Sequence, residues 1–273
     1  MFKCKNNEFE LGKKTYIMGI LNVTDDSFYD GGKYNTLEKA LEHTQEMLKE
    51  GADIIDIGAQ STRPGHKTIR ADEELEIIKK YLPYIYNETN AVISVDTFYP
   101  SVAEYALQNG ASIINDVSGE FSYEMAQVVK KHNAGWIIMH TGGGNADTVP
   151  EYENGVIESI KDFFIDVKKK CVDLDISFEQ IMLDVGIGFG KTTKHSLEVL
   201  RNLETFRNFA ALMVALSSKR IIGETTNTDG YDRVYGTISA NALAVANGAD
   251  FLRVHNVKEN ALALKMADAI IRG

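Results

Sequence analysis

Thr36-Leu-Glu-Lys-Ala-Leu-Glu-His-Thr-Gln-Glu-Met-Leu-Lys-Glu-Gly51-Ala-Asp-Ile-Ile-Asp-Ile-Gly58 contains one complete unit of the fold. Leu37, Ala40, Leu41, Met47 and Leu48 share one face at a 3.6-residue period, which predicts an amphipathic helix. Thr36 supplies an N-cap hydroxyl, and Gly51 a residue free to take the left-handed conformation that ends a helix. The run 53–58 follows, apolar and β-branched, with apolar side chains at successive positions. Such a run predicts a strand buried on both faces, as in a parallel sheet.

The same alternation extends in both directions. Strand-like runs fall at 15–22, 53–58, 92–97, 113–117, 136–140, 181–186, 212–217 and 251–255, with helical patterns between them. Gly110 and Gly248 end later helices just before a strand, as Gly51 does. Eight strand–helix units in about 250 residues is the size of a (β/α)8 barrel. A doubly wound open sheet uses the same units, and periodicity alone does not show closure. The expectation is an α/β fold, residues 1–273 forming a single-domain TIM barrel with its site at the C-terminal ends of the strands.

Composition narrows the function. Of 273 residues, 29 are basic and 39 acidic, a net charge of −10, and general nucleic-acid binding needs a basic face instead. Two cysteines, Cys4 and Cys171, are too few for a disulfide scaffold or a cysteine metal site. No apolar run approaches the roughly 18 residues of a spanning helix, and no secretory signal opens the chain. A soluble, cytoplasmic protein with no membrane or nucleic-acid partner is expected. The six histidines show no i, i+4 ligand spacing, so zinc is disfavoured, and His43 and His132 read as solvent-facing helix residues.

Nearly every strand run ends in a polar residue: Asn22, Asp56, Asp96, Asn115, His140, Asp184, Ser217 with Lys219, and Arg253 with His255. In a barrel these ends converge on the face where active sites are built. Arg253 and His255 alternate along one strand and point the same way. With Lys219 and Arg63, from Ser61-Thr-Arg-Pro-Gly65, they form a cationic set suited to an anionic substrate. Asp96, Asn115 and Asp184 turn acceptors inward. They suit either a divalent metal or a flat heterocycle with adjacent N–H donors. Gly186-Ile-Gly188-Phe-Gly190-Lys191 fits neither phosphate-loop spacing and reads as a flexible loop whose backbone approaches a ligand.

Longer strings carry a resemblance. Met18-Gly-Ile-Leu-Asn-Val-Thr-Asp-Asp-Ser-Phe-Tyr-Asp-Gly-Gly32 resembles the first signature of the dihydropteroate synthases, and Gly51 to Gly58 running into Ser61-Thr-Arg-Pro-Gly65 resembles the second. Ser94-Val-Asp-Thr97, Ile114-Asn-Asp-Val-Ser-Gly119, Leu183-Asp-Val-Gly-Ile-Gly-Phe-Gly-Lys191 and Arg253-Val-His255 continue the match in order. The resemblance implies a pterin-binding barrel that joins 4-aminobenzoate to (7,8-dihydropterin-6-yl)methyl diphosphate, releasing pyrophosphate. It also implies roles. Asp96, Asn115, Asp184 and Lys219 would hold the pterin, and Arg63, Arg253 and His255 the diphosphate. Asn22 would ligate Mg²⁺, Thr62 and Phe28 would lie near the aminobenzoate, and Asp30 would sit in a closing first loop. Lys219, Arg63 and Asp30 form the implied catalytic set, and a homodimer is the implied assembly.

Some positions depart from the family pattern. Asp25 and Val185 stand where proline is usual, Gln60 where glutamate is, and Thr141-Gly-Gly-Gly144 where Met-Arg is common. Ala215 replaces a glycine, Ser217-Ser218-Lys219 replaces Ser-Arg-Lys, and Arg220 follows where the family often has a serine near the aminobenzoate carboxylate, a contact that Arg220 could supply instead. A methyltetrahydrofolate–corrinoid methyltransferase would share the Asp/Asn/Asp set but not need the cationic one. A pterin-binding paralogue with little synthase activity would keep both.

Overall fold

A computed structural model describes residues 1–23, 36–60 and 68–273. Phe28, Asp30, Thr62 and Arg63 therefore lie outside the described residues. Among the described residues, the chain opens with a hairpin, β1 (Phe2–Cys4) and β2 (Asn7–Phe9). The barrel strands are β3 (Tyr16–Asn22), β4 (Ile54–Gly58), β5 (Ile93–Asp96), β6 (Ala111–Asp116), β7 (Gly135–Met139), β8 (Ile181–Asp184), β9 (Ala211–Val214) and β10 (Phe251–Val254). The helices are α1 (Leu37–Glu50), α2 (Ala71–Thr89), α3 (Pro100–Gln108), α4 (Tyr123–His132), α5 (Val156–Asp173), α6 (Thr193–Arg201), α7 (Arg220–Thr226), α8 (Arg233–Ala246) and α9 (Val257–Ile271).

All eight expected strands form, and the sheet closes. β10 pairs in parallel with β3 on one side, Phe251 opposite Tyr16, and with β9 on the other, Phe251 opposite Met213. The open-sheet arrangement is thereby excluded. Helix ends follow their sequence signals. The Thr36 hydroxyl accepts from the Lys39 amide, and Gly51 closes α1 at φ 112°. Gly110 and Gly248 take φ values of 116° and 104°. Side chains on the outer faces of the strands, such as Ile55, Ile57, Val95 and Leu183, pack against the helices in one large core.

A second, smaller core fills the N-terminal end of the barrel. Met18, Ile54, Ile113, Ile137, Met182, Met213 and Phe251 meet Phe2, Cys4 and Phe9 of the hairpin. Phe2 and Phe9 set ring edges against Phe251, at 5.5 and 5.6 Å, and Tyr16 stacks on it at 5.0 Å. The hairpin therefore plugs the end away from the expected site. His43 and His132 correct their reading. Both side chains are mostly covered, and His132 Nε2 lies 3.1 Å from Glu104 Oε2, because helices of a barrel touch neighbouring helices as well as solvent.

Candidate functional site

Two residues beyond the apolar layer, the same pleat turns polar side chains inward. Ile54 leads to Asp56, Ile113 to Asn115, Met182 to Asp184 and Phe251 to Arg253. Their hydrogen bonds cross the barrel interior. Arg253 Nε donates to Asp56 Oδ2 at 2.6 Å and Nη2 to Asp96 Oδ2 at 2.8 Å. Asn115 Nδ2 donates to Asp56 Oδ2 at 3.1 Å. Asp184 Oδ1 accepts from the Gly186 amide at 2.8 Å. Lys219 stands just before α7, its Nζ donating to Ile187 O at 2.6 Å and lying 4.8 Å from the Phe189 ring centroid. Acidic and basic groups thus interleave, with Arg253 seated among the carboxylates.

Three carboxylates share two cations in this layer, and burial makes that imbalance felt. Burial pushes the Asp96 carboxyl up to about 7, against the pull of Arg253, and neighbouring Asp56, Glu74 and Asp116 add to the rise. Asp184 is also raised by burial, with Lys219 opposing. Burial lowers the Lys219 ammonium to about 8, with Asp184 opposing. Burial works against the Arg253 charge too, but Asp56 and Asp96 more than offset it. Asp56 Oδ1 and Asn115 Oδ1 are buried acceptors without a partner among the described residues. Buried polar atoms are ordinarily satisfied, so these two point to a ligand with N–H donors.

The remaining predicted residues surround this layer. Asn22 and Asp96 flank Gly58 at the rim, Asn22 Oδ1 and Asp96 Cβ each lying 3.6 Å from where a Cβ on Gly58 would stand. His255 caps β10, where Ser217 Oγ accepts from its backbone amide at 3.1 Å and contacts its Nδ1 at 3.1 Å. The Gln60 side chain accepts from the Ile69 amide at 2.9 Å, joining the chain just before and just after residues 61–67. Arg220 is exposed, its Nε 3.5 Å from Glu224 Oε1.

Two readings need correction. The loop 186–190, read as flexible, is held in place. A Cβ on Gly186 or Gly190 would come within 1.9 Å of the His140 or Thr141 carbonyl oxygen, so the loop packs on the end of β7. It is also tied down, by Gly190 N to Asn145 O at 2.7 Å and Tyr152 Oη to Gly190 O at 2.7 Å. His140 sits at a strand end, yet it follows inward-facing Met139 and so turns toward the helices, where its Nε2 lies 3.0 Å from Ser159 Oγ of α5. Asp56, although noted as a strand-end residue, had no assigned role, and it proves the acceptor shared by Arg253 and Asn115.

Comparisons with known proteins agree with this geometry. The family described as pterin binding enzyme matches residues 18–255. A dihydropteroate synthase from Clostridium beijerinckii is 39% identical, covering 99% of each chain. The solved structure of a dihydropteroate synthase from Clostridium difficile, obtained in the presence of pteroic acid, superposes with a TM-score of 0.91 at 41% identity. It covers 97% of this chain and 100% of its own. A Xanthomonas albilineans dihydropteroate synthase with 4-aminobenzoic acid gives 0.87 at 34% identity, covering 95% and 94%.

Proposed function

The chain belongs to the pterin-binding enzyme family, and from that premise we propose that it is a dihydropteroate synthase, a transferase of folate biosynthesis. Residues 1–273 are read as one domain. The enzyme joins 4-aminobenzoate to (7,8-dihydropterin-6-yl)methyl diphosphate, giving 7,8-dihydropteroate and pyrophosphate. The observation that carries this is the interleaved layer of Asp56, Asp96, Asn115, Asp184, Arg253 and Lys219 at the C-terminal end of a closed barrel.

Carboxylates facing inward meet the flat, amidine-like edge of a pterin with parallel hydrogen bonds. Asp96, Asp184 and the Asn115 carbonyl supply those acceptors. Breaking the methylene–oxygen bond sends its electron pair to the diphosphate and leaves positive charge on the pterin methylene. Asp96 and Asp184 stabilise that charge through the ring. Lys219, His255, Arg63 and Arg253 are assigned to the negative charge, Arg253 through Nη1, since its Nε and Nη2 already hold Asp56 and Asp96. The neutral aromatic amine attacks the methylene and then loses a proton to solvent. Thr62 and Phe28 are assigned to the aminobenzoate and Asp30 to the catalytic set on the resemblance, and all three lie outside the described residues.

Asn22 presents a hard amide oxygen at the rim, and among the described residues no cluster of three His, Cys, Asp or Glu offers a metal cage. That donor set fits Mg²⁺ shared with a diphosphate, the usual way this ion binds with few protein ligands. When bound, it neutralises charge on the departing diphosphate. Tyr235 and Leu243 of α8 and Leu262, Met266 and Ile270 of α9 are exposed on neighbouring helices. This apolar face supports a homodimer. Among the described residues, no helix is long and apolar enough to cross a membrane, and the proposed setting is the cytoplasm. Mixing enzyme, both substrates and Mg²⁺ should yield dihydropteroate and pyrophosphate in equal amounts. Pterin diphosphate binding without either product would overturn the synthase reading.

A further inference from the structure

Lys191 is 1% exposed, unusual for a lysine. A buried ammonium is costly unless its donors are met. Here Nζ donates to His140 O at 2.9 Å and Phe189 O at 3.2 Å, and it faces His140 Nδ1 at 3.0 Å. With Nδ1 accepting, His140 carries its proton on Nε2 and donates it to Ser159 Oγ. Burial and the adjacent lysine lower His140 to about 3, which keeps the ring neutral. The socket therefore has three walls: the end of β7, helix α5 and the loop after β8.

That loop folds around the ammonium. Gly186 takes φ +65°, and a Cβ there would also lie 3.2 Å from Lys191 Nζ. Its far side holds the other lysine. Ile187 O accepts from Lys219 Nζ, and the Phe189 ring lies against the same atom. Phe189 thus touches both lysines, by carbonyl to Lys191 and by ring to Lys219. The backbone beside Lys219 is fixed independently, with Arg233 Nη1 donating to Ser218 O at 3.2 Å.

We propose that Lys191 is a positioning residue: its buried ammonium, seated between His140 and the Phe189 carbonyl, holds loop 186–190 in the shape that aims Lys219 into the barrel mouth. The proposal rests on the reading of Lys219 as a substrate-contacting residue. The titratable groups around Lys191 are His140 just after β7, Asp184 of β8 and Lys219, with Tyr152 and His195 of α6 behind the His140 ring. Asp184 attracts both ammonium groups, which repel each other.

The test is steady-state kinetics of the full-length enzyme across pH. Lys191→Met removes a like charge and frees the loop. It should raise KM for the pterin diphosphate about tenfold and lower kcat, since small misplacements of a contacting group are costly. Burial lowers the Lys191 ammonium to about 7, so wild-type KM should rise as pH passes through 7 and the seat loses its charge, and that rise should be smaller in the variant. A purely structural role would leave that pH dependence in place. Either readout matching wild type overturns the proposal. If the Met variant does not fold, His140→Phe removes the Nδ1 acceptor of the ammonium and should raise KM about threefold; an unchanged KM overturns the proposal equally. Lys219→Ala serves as the control. Normal kinetics there would refute the role of Lys219, whereas impaired Lys219→Ala beside normal Lys191→Met would refute only the present inference.

Discussion

The two ends of the barrel are built by the same strands, one step of the pleat apart. At the N-terminal end, Ile54, Ile113, Met182 and Phe251 turn inward against Phe2 and Phe9 of the hairpin. At the other end, Asp56, Asn115, Asp184 and Arg253 occupy the next inward positions and bond across the interior. The first layer excludes water and contributes cohesion. The second concentrates charge in a site that its own burial makes less stable, since buried carboxylates sharing too few cations are held near protonation. The difference locates stability and chemistry on opposite faces of the same barrel, and each can be perturbed without the other.

The sharpest break in that comparison is Asp184→Asn. It removes a carboxylate from the pterin layer while preserving shape. We expect kcat/KM to fall about 10³-fold or more, with no drop in thermal stability, because an uncomfortable buried charge is also removed. Loss of both activity and folding would show that the layer is structural.

Phe2→Ala probes the other end. A cavity beneath the plug should cost about 3–5 kcal/mol, read from urea unfolding, while kcat per folded molecule stays within about twofold. A proportional loss of kcat would mean that the ends are coupled.

Much of this division is legible from sequence. The eight strand runs stand out because they are apolar on both faces, and Asp96, Asn115, Asp184, Lys219 and Arg253 are visible as polar residues ending them. The hairpin is not, because three-residue strands such as Phe2–Cys4 are too short to establish a period. Asp56 was visible, but its role was not, since it depends on Arg253 arriving from 197 residues away. His140 misleads because it shares the strand-end position but has the opposite parity to inward-facing Met139. Lys191 is hidden because burial of a lysine leaves no mark on a glycine-rich string.

A smaller effect tests the electrostatic half of the comparison. Glu74 of α2 is buried behind Asp96, and burial pushes its carboxyl from 4.5 up to about 7, with the Thr97 hydroxyl opposing. A carboxyl raised on folding stabilises the protein fully below its unfolded value and loses that contribution as pH rises through 7. Asp96 acts with the same sign. The ligand-free protein should therefore lose stability between pH 5 and pH 8, by roughly 1–3 kcal/mol from Glu74 alone. Glu74→Gln, neutral throughout, should flatten the profile and gain most over wild type at pH 8. Parallel profiles for the two proteins would show that Glu74 is not held near protonation.

The most direct measurement of the central division is calorimetric titration of wild type, Phe2→Ala and Asp184→Asn with (7,8-dihydropterin-6-yl)methyl diphosphate and Mg²⁺, below the unfolding temperature of each. Wild type and Phe2→Ala should bind alike, and Asp184→Asn at least about 100-fold more weakly, the cost of unpairing a buried charge-assisted contact. Equal affinity in Asp184→Asn, or a loss shared by Phe2→Ala, would contradict the account.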